Sequence, residues 1–233
     1  MLDLNQLTVR TTKEVILERI KCEGKDILDV GCGTGKATRL LTRLGGRLTG
    51  LECGEAPLAA ARSKEPIAGE IFLEGIGQDL PFADGAFDAV CFFFSLHHVP
   101  TPEQLTALKE AHRVLRGNGV VYIFEPVAQG SSFRTMQPVD DETEVRAAAQ
   151  KAITQACADN LFSVDENFRY LEHYTYADFE AFKVQAIMVD AARAEALKTC
   201  EDQVRKLFVE QGVQVEAGHR FEEPVHFIKL QKS

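Results

Sequence analysis

Asp29-Val30-Gly31-Cys32-Gly33-Thr34-Gly35 is the stretch of this 233-residue chain whose residue types and spacing point most directly to chemistry. A short apolar run, Asp26 to Val30, leads into alternating glycines and then into a helical pattern. Glycine lets backbone approach a ligand with no Cβ in the way, and the following helix aims its free N–H groups at whatever sits there. In an open parallel sheet that place is the crevice at the carboxyl ends of the strands. The spacing excludes two common motifs. A dinucleotide fingerprint wants Gly or Ala where Lys36 stands, and no Gly-Lys-Ser/Thr follows for a triphosphate loop. A tight turn without a ligand is the bland alternative. Cys32 reads as a packing residue of the loop rather than a nucleophile. His97 and His98 follow the Phe87 to Phe94 run. Imidazole titrates near neutral pH, so one of them can act as a general base or hold an acceptor, and a plain loop histidine remains the equal alternative. Glu125 ends the next apolar run and is expected at the same rim. His112 reads as structural, and Phe92-Phe93-Phe94 as a buried strand whose last residues border the crevice.

These groups need a scaffold, and the flanking sequence supplies one. Thr11 and Glu14 are spaced as a capping box before Val15, Ile16, Leu17 and Ile20. Helices are expected over Lys36–Leu44 and Glu55–Lys64, and strands over 48–51, 70–73, 87–94 and 120–124. Thr101 as N-cap, Pro102 at the first helical position and Gln104 completing a box predict a helix running to Arg116 and stopping at Gly117-Asn118-Gly119. Strands alternating with helices predict an open parallel sheet with helices on both faces. After Glu125 the pattern changes. Asp140 and Asp141 can cap a helix with Val145, Ala148, Ala149, Ala152, Ile153 and Ala156 on one face. A second long helix is expected between Val189 and Gln211, with strands at Phe168–Tyr174 and Phe221–Leu230. Tyr170, His173, Tyr174 and Tyr176 either line a pocket or cover helices.

Composition narrows the classes. The charges are 35 acidic against 26 basic, a net of −9. Nucleic-acid binders draw affinity from neutralising phosphates, so that partner is not expected. Apolar runs such as Ala89 to Phe94 fall far short of the ~20 residues of a membrane span. The N-terminus shows no signal-peptide pattern. None of the cysteines at 22, 32, 53, 91, 157 and 200 makes a C-x-x-C pair. No metal site is expected, and the scattered thiols suit a reduced, cytoplasmic setting.

Four motifs in order carry a family likeness over about residues 25 to 126. Asp29-x-Gly31-x-Gly33-x-Gly35 resembles motif I of class I S-adenosylmethionine (SAM)-dependent methyltransferases. Leu80-Pro81-Phe82-x-Asp84-Gly85-x-Phe87-Asp88 resembles their segment into strand four, and Leu96-His97-His98-Val99 comes directly after that strand, as in many of their small-molecule members. Ala111-His112-Arg113-Val114-Leu115-Arg116-Gly117-Asn118-Gly119 is similar to their run before strand five. The nearest likeness is to the ubiquinone/menaquinone-biosynthesis group. The resemblance implies an α/β fold, a doubly wound Rossmann-like sheet of about seven strands with a helical elaboration after strand five. It implies one domain, with residues 25–126 holding the cofactor, 127–217 covering the acceptor and 218–233 adding the final strand. It implies SAM as methyl donor, S-adenosylhomocysteine (SAH) as product and a small-molecule acceptor.

Carried over by position, Gly31, Cys32, Gly33 and Gly35 would cradle SAM, and Asp29 would orient the loop or the methionine ammonium. Glu52, about 20 residues on, would accept from both ribose hydroxyls. Cys53 and Phe93 would border the ligand. Ile76 stands where the family often has an Asp that reads adenine, so that task would pass to Gly77, Gln78 or Asp79. The catalytic candidates are His97 and His98. A nucleic-acid amino methyltransferase would carry Asn/Asp-Pro-Pro-aromatic where this chain has Phe93-Phe94-Ser95-Leu96, and no Pro-Cys dipeptide offers a cytosine nucleophile. A SAM-binding but catalytically degenerate protein is the alternative, and an oxidoreductase with an unusual nucleotide loop a more distant one.

Overall fold

The computed structural model describes residues 2–189 and 192–233. In chain order its elements are α1 (Thr12–Arg19), β1 (Asp26–Val30), α2 (Lys36–Arg43), β2 (Arg47–Glu52), α3 (Glu55–Arg62), β3 (Ile71–Glu74) and β4 (Phe87–Phe93). Then come α4 (Gln104–Val114), β5 (Leu115–Pro126), α5 (Gly130–Met136), α6 (Thr143–Ala158), β6 (Phe162–Tyr176), α7 (Phe179–Val189), α8 (Arg193–Gln211), β7 (Val213–Val215) and β8 (Gly218–Lys232). The strands lie in the order β3-β2-β1-β4-β5-β8-β6, with β7 paired antiparallel to β8. Strands β1 to β5 pair parallel with one another. The doubly wound α/β fold expected from the sequence is therefore present. Reversal of the strand order between β1 and β4 makes the switch point at which open sheets hold ligands.

The chain divides into two compact units. The larger comprises residues 16–125, 145–168 and 226–233. Its core joins Leu28, Val30, Val90, Phe92, Leu108, Val121 and Ile123 with Ala149, Ile153, Ala156 and Ile228. The Ala and Ile positions of α6 are the face that the 3-4 spacing predicted. Beneath the amino ends of the strands, Arg47 and Arg116 pair with Asp26 at 2.6 and 2.9 Å, and Arg116 also reaches Asp88 at 2.8 Å. The smaller unit comprises residues 1–15, 126–144 and 169–225, and packs Phe179, Phe182, Leu197, Val204, Phe208 and Phe221 together.

Three local expectations need correction. Thr101 caps no helix. Residues 101–103 form a 3₁₀ turn, and α4 starts at Gln104, whose side chain is fully buried and donates to the carbonyls of His97, Val99 and Val145 instead of closing a box. Second, α4 stops at Val114 rather than Arg116. Leu115 already pairs with Phe87 in the sheet, and Lys232 Nζ caps the carbonyls of His112 and Leu115, both at 2.7 Å. Third, no helix is expected from the sequence over Phe179–Val189, where α7 lies; the long helix expected between Val189 and Gln211 is α8, and residues 190 and 191 lie outside the described residues.

Candidate active site

Strand β1 delivers the glycine loop to the switch point. The N–H groups of Gly31 and Cys32 both donate to Leu51 O, at 2.8 and 3.0 Å, which ties the loop to the end of β2. Gly31, Gly33 and Gly35 all have positive φ, of 70°, 54° and 76°. They differ in what a side chain would meet. A Cβ at Gly31 would lie 2.6 Å from Ser95 Cβ, and one at Gly35 would lie 2.6 Å from Arg39 and 2.7 Å from the Phe72 ring. At Gly33 no atom lies within 4 Å. Protein packing demands two of the glycines, whereas at Gly33 the positive φ alone calls for glycine and the space beside it is open.

Asp29, within β1, is fully buried. Its Oδ2 accepts from Thr38 Oγ1 at 2.6 Å, while Oδ1 is buried with no hydrogen-bond partner. Burial pushes this carboxyl up to about 7, opposed by the Thr38 bond and reinforced by the charge of Glu52. An unpaired buried carboxylate oxygen costs about 1–3 kcal/mol or more, so its retention points to a cationic or donor group that completes it.

Glu52 closes β2 half-buried. One oxygen accepts from Gly33 N–H and the other from Gly54 N–H, both at 2.8 Å. A carboxylate has about four lone-pair positions, so two backbone bonds leave acceptor capacity for ligand hydroxyls. Gly77 sits behind β1, where a Cβ would come within 3.0 Å of Val30, and its neighbours Gln78 and Asp79 continue a tight turn in which Asp79 N–H donates to Ile76 O at 3.3 Å. Cys53 is exposed beside Glu52. Cys32 is buried with Leu58, Ala61 and Phe72, and burial pushes its thiol far above the ordinary range. That is the chemistry of a packing residue.

Past β4 the chain makes a strained turn. Phe94, not a glycine, has φ of 57° and donates its N–H to Phe124 O at 2.8 Å. The preceding Phe93 ring packs 5.1 Å from that of Phe124. Ser95 Oγ donates to Val30 O at 2.6 Å. The two histidines then part company. His97 is buried, with Nδ1 2.6 Å from Glu125 Oε2, while His98 is exposed, its ring centroid 4.1 Å from that of His97. Glu125 is buried too, with both oxygens engaged by Leu96 N–H and His97 Nδ1.

Among sequence candidates, the structure thus gathers Asp29, Gly31, Cys32, Gly33, Gly35 and Glu52 around one loop. Gly77 joins them through Val30, Cys53 through Glu52, and the Phe93–His98 segment through Ser95. Thr38 and Ser95 were missed. Serine and threonine are too common for a lone one to signal, and only the bonds to Asp29 and Val30 reveal their part. In the smaller unit, Tyr170 lies 2.7 Å from Thr12 Oγ1 and Tyr174 donates to Glu172, so both phenols help anchor the start of α1.

A sequence profile of the methyltransferase domain matches residues 28–123. The ubiquinone biosynthesis O-methyltransferase of Pseudomonas paraeruginosa is 35% identical over 127 residues, covering 52% of this chain and 51% of that protein. The chain spans about half the length of the curated relatives it matches. Among solved structures, the YcgJ protein of Bacillus subtilis superposes with a TM-score of 0.65 at 16% identity, covering 94% of this chain and 97% of that one. The [4+2]-cyclase SpnF superposes at 0.60 with 18% identity, covering 94% and 80%. At such identities the likeness is one of fold, and a fold shared with a cyclase leaves the reaction to be argued from the site.

Proposed function

We propose, for a chain that belongs through residues 28–123 to the methyltransferase-domain family, that it transfers the methyl group of SAM to a small-molecule acceptor. The observation that carries this reading is the unpaired, buried Oδ1 of Asp29, near the end of the strand that leads into the glycine loop. A bare dinucleotide or phosphate ligand would bring only more negative charge to that oxygen, whereas the ammonium of SAM supplies the donor it lacks. The residues fit the group. Asp29 would hold the ammonium, the spare lone pairs of Glu52 the ribose hydroxyls, and Gly33 the space between. Gly77, Gln78 and Asp79 would take the adenine side, with Cys53 and Phe93 bordering the ligand.

SAM when bound supplies a methyl group on a positively charged sulfur, already an activated leaving group. The protein's work is then to bind, align and exclude water rather than to build a nucleophile. Glu52 performs two tasks at once, since the oxygens offered to the ligand also fix Gly33 and Gly54. Of the histidine pair, exposed His98 is the candidate to take a proton from an acceptor, because His97 is buried and already engaged at Nδ1. Residues 127–217 are proposed to choose the acceptor. A cytoplasmic setting rests on cysteine spacing. No described helix is long and apolar enough to cross a membrane.

Calorimetric titration with SAH, followed by assays of SAH formation with phenolic, amine and thiol acceptors, tests the reading. Binding of SAH and not of NAD is expected, with turnover on one acceptor class. A chain that binds NAD and ignores SAH would overturn it.

A further inference from the structure

Glu125 lies at the end of β5, on the far side of β4 from the glycine loop in strand order, and it is 1% exposed. A carboxyl group is costly to bury, and cores keep one where it organises surrounding polar groups. Here both oxygens are engaged by a single turn. Oε1 accepts from Leu96 N–H at 3.0 Å, and Oε2 lies 2.6 Å from His97 Nδ1. The backbone just before needs such support. Phe94 sits in the left-handed region, where a residue with a side chain is strained unless its surroundings hold it. That turn in turn backs the loop. Ser95 Oγ donates to Val30 O at 2.6 Å, and Ser95 Cβ fills the place a Cβ of Gly31 would need. The contacts are continuous, from Glu125 to Leu96 and His97, through Ser95, to Val30 and Gly31.

We infer that Glu125 is a positioning residue for the cofactor loop, setting Gly31 through the Phe94–His97 turn without touching the ligand itself. The inference rests on the proposal that this loop holds SAM. It assigns to Glu125 an effect on cofactor affinity that a rim carboxylate or a general base would not have. It also gives Ser95 a role: its hydroxyl and methylene transmit the position of the turn to β1.

SAH dissociation constants, measured by calorimetry well below the melting temperature, test the idea in wild type, Glu125→Gln, Ser95→Ala and the double variant. Ile153→Val, in the core of α6, serves as a control for general loss of stability. Glu125→Gln keeps size but removes one of the two acceptors, and a weakening of roughly tenfold or more is expected, with a smaller loss in Ser95→Ala. The double variant should lose less than the product of the two, because both act through one turn. Ile153→Val should bind as wild type does. Wild-type affinity in Glu125→Gln overturns the inference while leaving SAM binding intact. Should Glu125→Gln not fold, wild-type affinity in Ser95→Ala overturns it equally. A wild-type protein that binds no SAH removes both the inference and the function it rests on.

Discussion

Asp29 is a carboxyl that prefers its proton in the folded chain. Its pKa of about 7 stands above the ordinary 3.8, so its contribution to the stability of the ligand-free protein is full below about 3.8 and is lost as pH rises through about 7. An ammonium needs the carboxylate form. Binding therefore removes the proton, and SAH affinity should rise by up to about tenfold per pH unit as pH climbs toward 7, then level off. Titrations in buffers of different ionisation enthalpy should show that proton released below pH 7, and Asp29→Asn should abolish the slope. A flat affinity profile in the wild type would separate Asp29 from the ligand. Glu52→Ala deletes the partner of two backbone N–H groups along with the expected ribose acceptors. Affinity should fall about 30-fold or more with the far-ultraviolet circular dichroism unchanged. At this scale the sequence showed which residue types gather, but not that His97 and His98, adjacent and alike in letters, would separate into a buried and an exposed ring.

At the scale of the element, legibility followed the strength of local signals. The Thr11–Glu14 box closes as its spacing predicted, with Glu14 accepting from Thr11 N–H at 2.7 Å and Glu14 N–H donating to Thr11 Oγ1 at 3.2 Å. Five parallel strands lie within a residue or so of their expected bounds, except that β5 begins well before its apolar run. The same box pattern misled at Thr101, because tertiary carbonyls outbid the local bond for Gln104. α7 escaped notice because Val184 and Met188 are exposed opposite buried Phe179, Phe182 and Ala186, so its periodicity is blurred. α5 opens on Gly130 and small polar residues, which read as loop. Gln104→Ala makes the tertiary effect measurable. Leaving those carbonyls without a donor costs about 2 kcal/mol, a fall in melting temperature of roughly 4–8 °C, read by differential scanning calorimetry. An unchanged melting temperature would show that the side chain merely fills space.

For the whole molecule, the chain as one domain remains a proposal, and melting tests it. SAH at 100 times its dissociation constant adds about 2.7 kcal/mol to the folded state. One cooperative transition, raised by roughly 5–10 °C, is expected. Two transitions with only one displaced would show the compact units folding separately. The ion pairs of Arg47 and Arg116 with Asp26 and Asp88 cluster at the amino ends of the strands, whereas the glycine loop leaves β1 at its carboxyl end. The rise along β1 sets these two regions about 13 Å apart, beyond the range at which substitutions commonly interfere with one another. Changes in the charge cluster and changes in the glycine loop can therefore accumulate independently of each other. A lineage could rebuild the charges at one end of the sheet while the loop at the other end stayed as it was.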